Sequence, residues 1–168
     1  MQTKPKVALI MGSDSDFNTL KPCIKVLNSF NIEVDVNVIS AHRTPYIAED
    51  YAKNAEKNGV EVIIAAAGKA AHLAGVLAAF TTLPVIGIPI KSSTMDGLDS
   101  LLSMVQMPKG IPVATVAIDG SDNAGILAAQ MLSLKYDYLK PMLADFKAKM
   151  AAEVEEKCKK IKDEAKGL

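Results

Sequence analysis

The sequence is poor in several residue types, and each shortage argues against a class of protein. There is no tryptophan, and aromatic residues make up only 5% of the 168 positions, which argues against a flavin site built by ring stacking. Lysine plus arginine and aspartate plus glutamate number 19 each, so the chain lacks the basic surplus of a nucleic-acid-binding protein. No apolar run approaches the length of a membrane span, and the N-terminus lacks the apolar stretch of a signal peptide.

Cysteine is limited to Cys23 and Cys158, both in segments with a helical pattern. The two lie far apart and have no metal-ligand spacing, which indicates reduced thiols and a cytoplasmic protein. We expect no metal site, although an acidic side chain could complete a zinc site with the two histidines of the chain.

Arginine and histidine are also scarce, and their placement is informative. Arg43 is the only arginine among the 19 basic residues, and His42 and His72 are the only histidines. His42 and Arg43 are adjacent, directly after the alternating run Val34, Val36, Val38. Because histidine titrates near neutrality and arginine is a permanent, fork-shaped cation, this pair suits proton transfer on an anionic substrate.

Short apolar runs alternate with helical patterns along residues 6 to 135. The runs predict five strands, at 6–11, 34–39, 62–67, 84–90 and 112–118; the first, rich in β-branched residues, indicates a buried parallel strand, and the second alternates through Val34, Val36 and Val38. Helical patterns follow the strands, one of them running from Pro45 towards a C-cap signal at Asn58-Gly59, and another capped by Ser121 or Asp122 and continuing to about Leu134. This alternation predicts an α/β fold in which helices cover both faces of a parallel sheet. We expect one domain for the whole chain, 1–168, with its core at about 6–135.

The C-terminal segment, about 136–166, has a different pattern. Apolar residues recur every three or four positions from Leu139 to Ala165, and lysine and glutamate fill the positions between them. This pattern predicts a long amphipathic helix with one apolar stripe. The stripe could pack on its own sheet, but a helix this long would overhang the domain, so we favour docking on a neighbouring subunit.

The polar residues of interest follow the first three predicted strands. They lie at 12–16, 40–43 and 67–72, and ligands of open parallel sheets bind beyond the carboxyl ends of the strands. We therefore expect these loops to form one site.

Each loop also has a purely structural interpretation. The segment 12–16, Gly-Ser-Asp-Ser-Asp, is either a turn with an N-cap or a phosphate site made by serine hydroxyls and free N–H groups. Asp14 or Asp16 could accept hydrogen bonds from ribose hydroxyls, and at least one should point away from a phosphate. Arg43 could hold a phosphate or carboxylate with two hydrogen bonds, or be a surface cation.

The other two loops combine one ionisable side chain with small residues. His42 and His72 could each be structural histidines, and Lys69 is either solvated or a neighbour of the phosphate. The alanines and glycine at 65–71 favour either close helix packing or a tight, apolar space beside a ligand.

Six motifs appear together in one order, and they are similar to those of the 5-(carboxyamino)imidazole ribonucleotide mutase family of purine biosynthesis. The resemblance covers about 6–135, and the motifs are GSDSD at 12–16, SAHRTP at 40–45, GKAAHL at 68–73, DSLLSMVQMP at 99–108, GIPVATVAI at 110–118 and NAGILAAQ at 123–130. The chain departs from the family at Lys69, where glycine is common, and at Ala74, where proline is common.

The resemblance implies a flavodoxin-like, three-layer α/β/α fold with a five-stranded parallel sheet, a homo-octamer and no cofactor. It also implies that the substrate's carboxylate moves from an exocyclic nitrogen to the adjacent ring carbon, giving 4-carboxy-5-aminoimidazole ribonucleotide. His42 matches the catalytic histidine. The residues matched to substrate binding are Ser13, Ser15, Asp16, Ser40, Arg43, Gly68, Lys69, Ala70 and His72.

The chemistry required for such a transfer agrees with these residues. A carbamate loses CO₂ once its nitrogen is protonated, and the ring carbon that captures the CO₂ must later lose a proton. One histidine could donate the first proton and accept the second, while a closed pocket holds the CO₂.

Two other functions remain open from the sequence. Related carboxylases use free CO₂, and they tend to have lysine in place of Arg43 and Ser-Asn-Ala in place of 70–72. The fold alone would also allow a flavin- or nucleotide-binding module without catalysis. A phosphorylated receiver domain would need an acidic residue where this chain has alanines, at 65–67.

Overall fold

The computed structural model describes residues 4–167 and contains one five-stranded sheet with six α-helices in that range. The strands are β1 (Lys6–Met11), β2 (Glu33–Val38), β3 (Val60–Gly68), β4 (Val85–Ile90) and β5 (Ala114–Thr115). The helices are α1 (Phe17–Ser29), α2 (Pro45–Asn54), α3 (Leu73–Phe80), α4 (Leu98–Val105), α5 (Ser121–Leu132) and α6 (Leu139–Ala165). No helix within the described range is long and apolar enough to cross a bilayer.

All neighbouring strands are parallel, in the order β2-β1-β3-β4-β5. This is the flavodoxin-like order, in which the chain turns from one half of the sheet to the other between β1 and β3. The three-layer fold implied by the resemblance is therefore confirmed. The order also places the end of β1 between the ends of β2 and β3.

Two apolar clusters cover the two faces of the sheet. On one face, β1, β3 and β4 pack against α1, α5 and the start of α6. On the other face, the same strands pack against α2, α3 and Met104 of α4. Strands β1 and β4 are almost wholly buried, which explains why their sequences are continuous apolar runs rather than alternating ones.

Strand β5 is much shorter than predicted. The run at 112–118 was expected to be a full strand, but only Ala114 and Thr115 pair with β4 in regular register. Pro112 and Pro89 have no N–H to donate, and β5 is an edge strand, so the ladder is interrupted. The segment still runs beside β4, because Val116 N donates to Gly87 O (3.0 Å) and Asp119 N donates to Pro89 O (2.9 Å).

The ends of two helices differ from their predicted caps. Helix α2 ends at Asn54, before the predicted Asn58-Gly59, but the turn that follows it does close at Gly59, which has a φ of 81°, with the N–H groups of Gly59 and Val60 donating to Glu56 O and Ala55 O. Helix α5 has no side-chain cap, and its cap position is Gly120. The Ser121 hydroxyl instead donates to Thr19 O (2.6 Å), which ties α5 to α1.

Helix α6 packs on its own subunit only at its start. Leu139 is fully buried, and Phe146 packs edge-on against Phe30 with ring centroids 5.9 Å apart. Further along the predicted stripe the side chains are exposed, with 44% of Met150, 64% of Val154 and 63% of Ile161 accessible. At about 1.5 Å per residue, the 27-residue helix is about 40 Å long. The first two turns of α6 therefore pack on the core of their own subunit, and the remaining turns extend beyond it.

Candidate active site

The carboxyl ends of β1, β2, β3 and β4 surround a cavity of about 640 Å³. It receives all ten residues that the sequence and the resemblance pointed to: Ser13, Ser15, Asp16, Ser40, His42, Arg43, Gly68, Lys69, Ala70 and His72. The three loops do meet, because in a parallel sheet the polar segments that follow the strands all lie at the same edge.

The loop after β1 forms a compact serine and aspartate turn. Ser13 caps the 3₁₀ turn Asp14–Asp16 by accepting from Ser15 N (3.3 Å), and the Ser15 hydroxyl donates to Asp16 Oδ1 (3.0 Å). Asp16 lines the cavity, whereas Asp14 is exposed and does not. The N-cap interpretation is therefore correct, and the same cap presents two hydroxyls and one carboxylate to the cavity.

Burial sets the acidity of Asp16. Its pKa is raised chiefly by desolvation, and the nearby charges of Asp119 and Asp14 raise it further, while the hydrogen bond from Ser15 lowers it. Burial deprives the Asp16 carboxylate of hydrogen bonds from water. A carboxylate in this environment is suited to accept hydrogen bonds from a bound ligand.

Arg43 connects the end of β2 to the end of β1. Its Nη2 donates to Gly12 O (3.0 Å) and its Nε donates to Ser40 Oγ (3.3 Å). A guanidinium has five N–H groups, so these two bonds orient the side chain and leave other donors for an anion. Ser40 is therefore placed to hold Arg43 in position.

The two histidines contact each other across the end of β1. His42 Nε2 and His72 Nδ1 are 3.0 Å apart, and the rings are nearly perpendicular, at 76°. At this contact one ring nitrogen must donate and the other accept, so the tautomers of the two rings are linked. The sequence predicts both residues at strand ends but not their contact, because the contact depends on the strand order.

The loop after β3 forms the tight side of the cavity. Ala67, Gly68 and Ala70 line the cavity, and a Cβ at Gly68 would make only an ordinary van der Waals contact with Ile90 O, at 3.5 Å. Lys69 has a left-handed backbone, with a φ of 56°. The small residues thus bring the backbone of this loop close to any ligand.

A fourth wall was missed by the sequence analysis, which treated 91–97 only as a polar loop. Ile90, Lys91, Ser92 and Ser93 also line the cavity. The loop is held in place because Lys91 N donates to Asp119 Oδ1 (2.9 Å) and the Ser92 hydroxyl donates to the Asp99 carboxylate (2.8 and 3.0 Å). The available signal was that this segment, like the other three, directly follows a buried strand.

A metal centre is not evident in the described chain. Between residues 4 and 167, no group of three or more histidine, cysteine, aspartate or glutamate side chains is arranged to hold a metal ion.

Comparisons with known proteins agree on one family. The family model described as AIR carboxylase matches residues 6–153. An N5-carboxyaminoimidazole ribonucleotide mutase of Pyrococcus horikoshii is 54% identical over 160 residues, covering 95% of this chain and 90% of that protein. A phosphoribosylaminoimidazole carboxylase of Candida glabrata is also 54% identical, but the match covers 94% of this chain and only 28% of that longer protein. The crystal structure of Treponema denticola PurE superposes with a TM-score of 0.85 at 28% identity, covering 94% of this chain and 98% of that one.

Proposed function

The chain belongs to the AIR carboxylase family, and on that basis we propose that it is a mutase, an isomerase of purine biosynthesis. Its reaction moves a carboxylate from the exocyclic nitrogen of 5-(carboxyamino)imidazole ribonucleotide to the adjacent ring carbon. The proposal is carried chiefly by one observation: the His42–His72 pair and Arg43 line the same cavity.

The phosphate end of the substrate is assigned to the loops after β1 and β2. Ser13 and Ser15 supply hydroxyls, Arg43 supplies the remaining guanidinium donors, and Ser40 orients Arg43. Asp16 accepts hydrogen bonds from the ribose hydroxyls. With this assignment Asp16, the carboxylate that the loop after β1 brings to the cavity, faces the uncharged ribose and not the phosphate.

The imidazole and its carboxylate are assigned to the loop after β3. Gly68 and Ala70 allow the ring to approach the backbone, and Lys69 and His72 lie on the same loop. Small, apolar walls at Ala67 and Ala70 suit the retention of CO₂, which has no charge for polar side chains to hold.

His42 is the acid and base in this mechanism. Protonation of the carbamate nitrogen by His42 breaks the N–C bond and releases CO₂ inside the cavity. The ring carbon attacks the CO₂, and the same histidine then removes the proton from that carbon, so that no net proton is consumed. Because both fragments stay in one site, the second step is effectively intramolecular.

The His72 ring fits the role of partner to His42. With 3.0 Å between His42 Nε2 and His72 Nδ1, one nitrogen donates a hydrogen bond and the other accepts it. His72 can therefore hold the His42 ring in the orientation and tautomer that proton transfer needs.

A carboxylase that takes CO₂ from solution is the second candidate. The observation that favours it is the similarity to the Candida glabrata carboxylase, although this chain matches only 28% of that protein. Arg43 and the Ala70-Ala71-His72 segment favour the mutase, because related carboxylases tend to have lysine in place of Arg43 and Ser-Asn-Ala in place of 70–72.

We also propose that this one-domain subunit works in the cytoplasm as a homo-octamer. Exposed apolar side chains support assembly, both on α4 and its preceding loop and along α6: Met95, Leu98, Leu102, Val105, Met150, Val154 and Ile161. Such surface is costly in water and is commonly covered in an oligomer.

Supplying the carbamate ribonucleotide without ATP and following the ring-carboxylated product tests the function. We expect conversion by the purified protein alone. Decay of the substrate to aminoimidazole ribonucleotide and free CO₂ at the uncatalysed rate, with no ring-carboxylated product, would exclude the mutase.

A further inference from the structure

Lys69 occupies a backbone conformation that lysine normally avoids. Its φ is 56°, in the left-handed region where glycine has no steric penalty. The other non-glycine residues with positive φ in the described chain are Asn31, Asp96 and Asp119, which are residue types that tolerate this region. Lysine does not stabilise this left-handed backbone as well as glycine would, so the backbone conformation does not account for lysine at position 69. We therefore ask what the side chain of Lys69 does.

The ammonium group of Lys69 is uncommitted. Lys69 is exposed and lines the cavity, and across residues 4–167 it takes part in no ion pair and no side-chain hydrogen bond. The other cavity lysine, Lys91, is paired with Asp96 at 3.2 Å. Lys69 is thus the cavity lysine whose charge is available to a ligand.

The position of Lys69 indicates which part of the ligand it meets. The Arg43 guanidinium bonds to Gly12 O on the loop after β1, whereas the adjacent His42 contacts His72 on the loop after β3, at 3.0 Å. Lys69 lies on that loop after β3, three residues before His72, so it belongs to the reacting end of the cavity.

We propose that Lys69 is a specificity-determining residue that pairs with the carboxylate of the substrate and product, an inference that rests on the proposed function. The pairing acts before and after transfer, since the CO₂ held between the two states carries no charge. Lys69 therefore favours ligands that carry the carboxylate, and it stabilises the bound substrate and product rather than the transition state.

The test measures two binding preferences by calorimetry. The carboxylate preference compares 4-carboxy-5-aminoimidazole ribonucleotide with aminoimidazole ribonucleotide. The phosphate preference compares the same carboxylated ribonucleotide with its ribonucleoside. We expect Lys69→Met to lower the carboxylate preference about tenfold, in keeping with a charge-assisted hydrogen bond, and to leave the phosphate preference unchanged.

Matched variants separate charge from backbone. Lys69→Gly should lose the same preference although it suits the left-handed backbone, and Lys69→Arg should retain most of it. Asn31→Gly, at a φ of 57° and on the opposite edge of the sheet, and Lys25→Met, an exposed lysine on α1, should change neither preference.

The kinetic signature is a joint change in KM and kcat. Lys69→Met should raise both by up to about tenfold and leave kcat/KM nearly unchanged, because the lost contact stabilises the charged ground state but not the state that holds CO₂. An unchanged carboxylate preference, or a loss that falls wholly or equally on the phosphate preference, would overturn the proposal. Failure of the wild-type protein to convert the carbamate would instead count against the proposed function, and the two outcomes are therefore distinguishable.

Discussion

His42 and His72 approach to 3.0 Å although thirty positions separate them, and both rings are exposed to the cavity. Exposed rings contribute little to the packed core, so replacing one should alter chemistry more than folding. The proposed mechanism can thus be tested by substitution without loss of the fold.

Replacing His42 with asparagine removes the group that donates and accepts the proton. We expect His42→Asn to lower turnover at least about a hundredfold, the usual contribution of general acid–base catalysis, and to keep ribonucleotide binding within about tenfold of wild type. Steady-state kinetics and calorimetry provide the two numbers, and an unchanged Tm serves as the control. Turnover within tenfold of wild type would remove His42 from the mechanism.

Asp16 offers a pH-dependent prediction at the same scale. Because burial raises the pKa of this carboxyl in the folded state, its ionisation above that pKa costs stability. Asp16→Asn should therefore raise the Tm of the free protein at pH 7. The gain should shrink as pH falls through the folded pKa and disappear below the unfolded value near 3.8.

The exposed Asp14 provides the matched control. Asp14→Asn removes a charge from the same turn without relieving burial, so thermal unfolding at several pH values should show a smaller effect. A larger gain for Asp14→Asn, or a gain for Asp16→Asn that grows at low pH, would contradict the assignment.

At the scale of elements, helix α6 has two parts with different roles. Its first two turns belong to the subunit core, and the turns beyond Phe146 have no partner within the described subunit. A truncation that keeps Phe146 can separate the two roles, whereas a cut at Tyr138 would remove Leu139 and mix them.

Ending the chain after Lys149 should lower the oligomeric mass in solution, because it removes the exposed apolar stripe of α6. Light scattering measures the mass, and circular dichroism should show the core intact. As a control, Phe146→Ala should cost about 1–2 kcal/mol of stability, below the range for fully buried phenylalanines. An unchanged assembly after truncation would mean that the stripe has no role between subunits.

The order and kind of elements could be predicted because β1 and β4 are continuous apolar runs, β2 alternates between polar and apolar residues, and apolar residues in the helices recur every three or four positions. The extent of β5 could not, because strand length at an edge depends on which N–H groups its neighbour offers. The cap of α5 was also out of reach, since Ser121 bonds to Thr19 O on a different helix. In the site, the ten cavity residues followed from strand ends and from the resemblance, but the His42–His72 contact needed the order in which strands lie side by side.

For the molecule as a whole, the fate of the carboxylate distinguishes a mutase from a carboxylase. If the cavity retains CO₂, substrate with a labelled carboxylate should deliver most of its label to the ring carbon in the presence of excess unlabelled bicarbonate. Mass spectrometry of the product measures the retained fraction. Full exchange with the solvent pool before product forms would identify a carboxylase that uses free CO₂.

The apolar clusters on the two faces of the sheet also differ in how early in synthesis all of their residues have been added to the chain. The cluster on the side of α2 and α3 draws its buried residues from Ala8 to Met104, whereas the cluster on the side of α1 needs residues as late as Leu139. His42, Arg43 and His72 all precede β4. A nascent chain therefore has its histidine pair, and most of one core, available before the second core can close, and α1 must wait for α5 while synthesis continues.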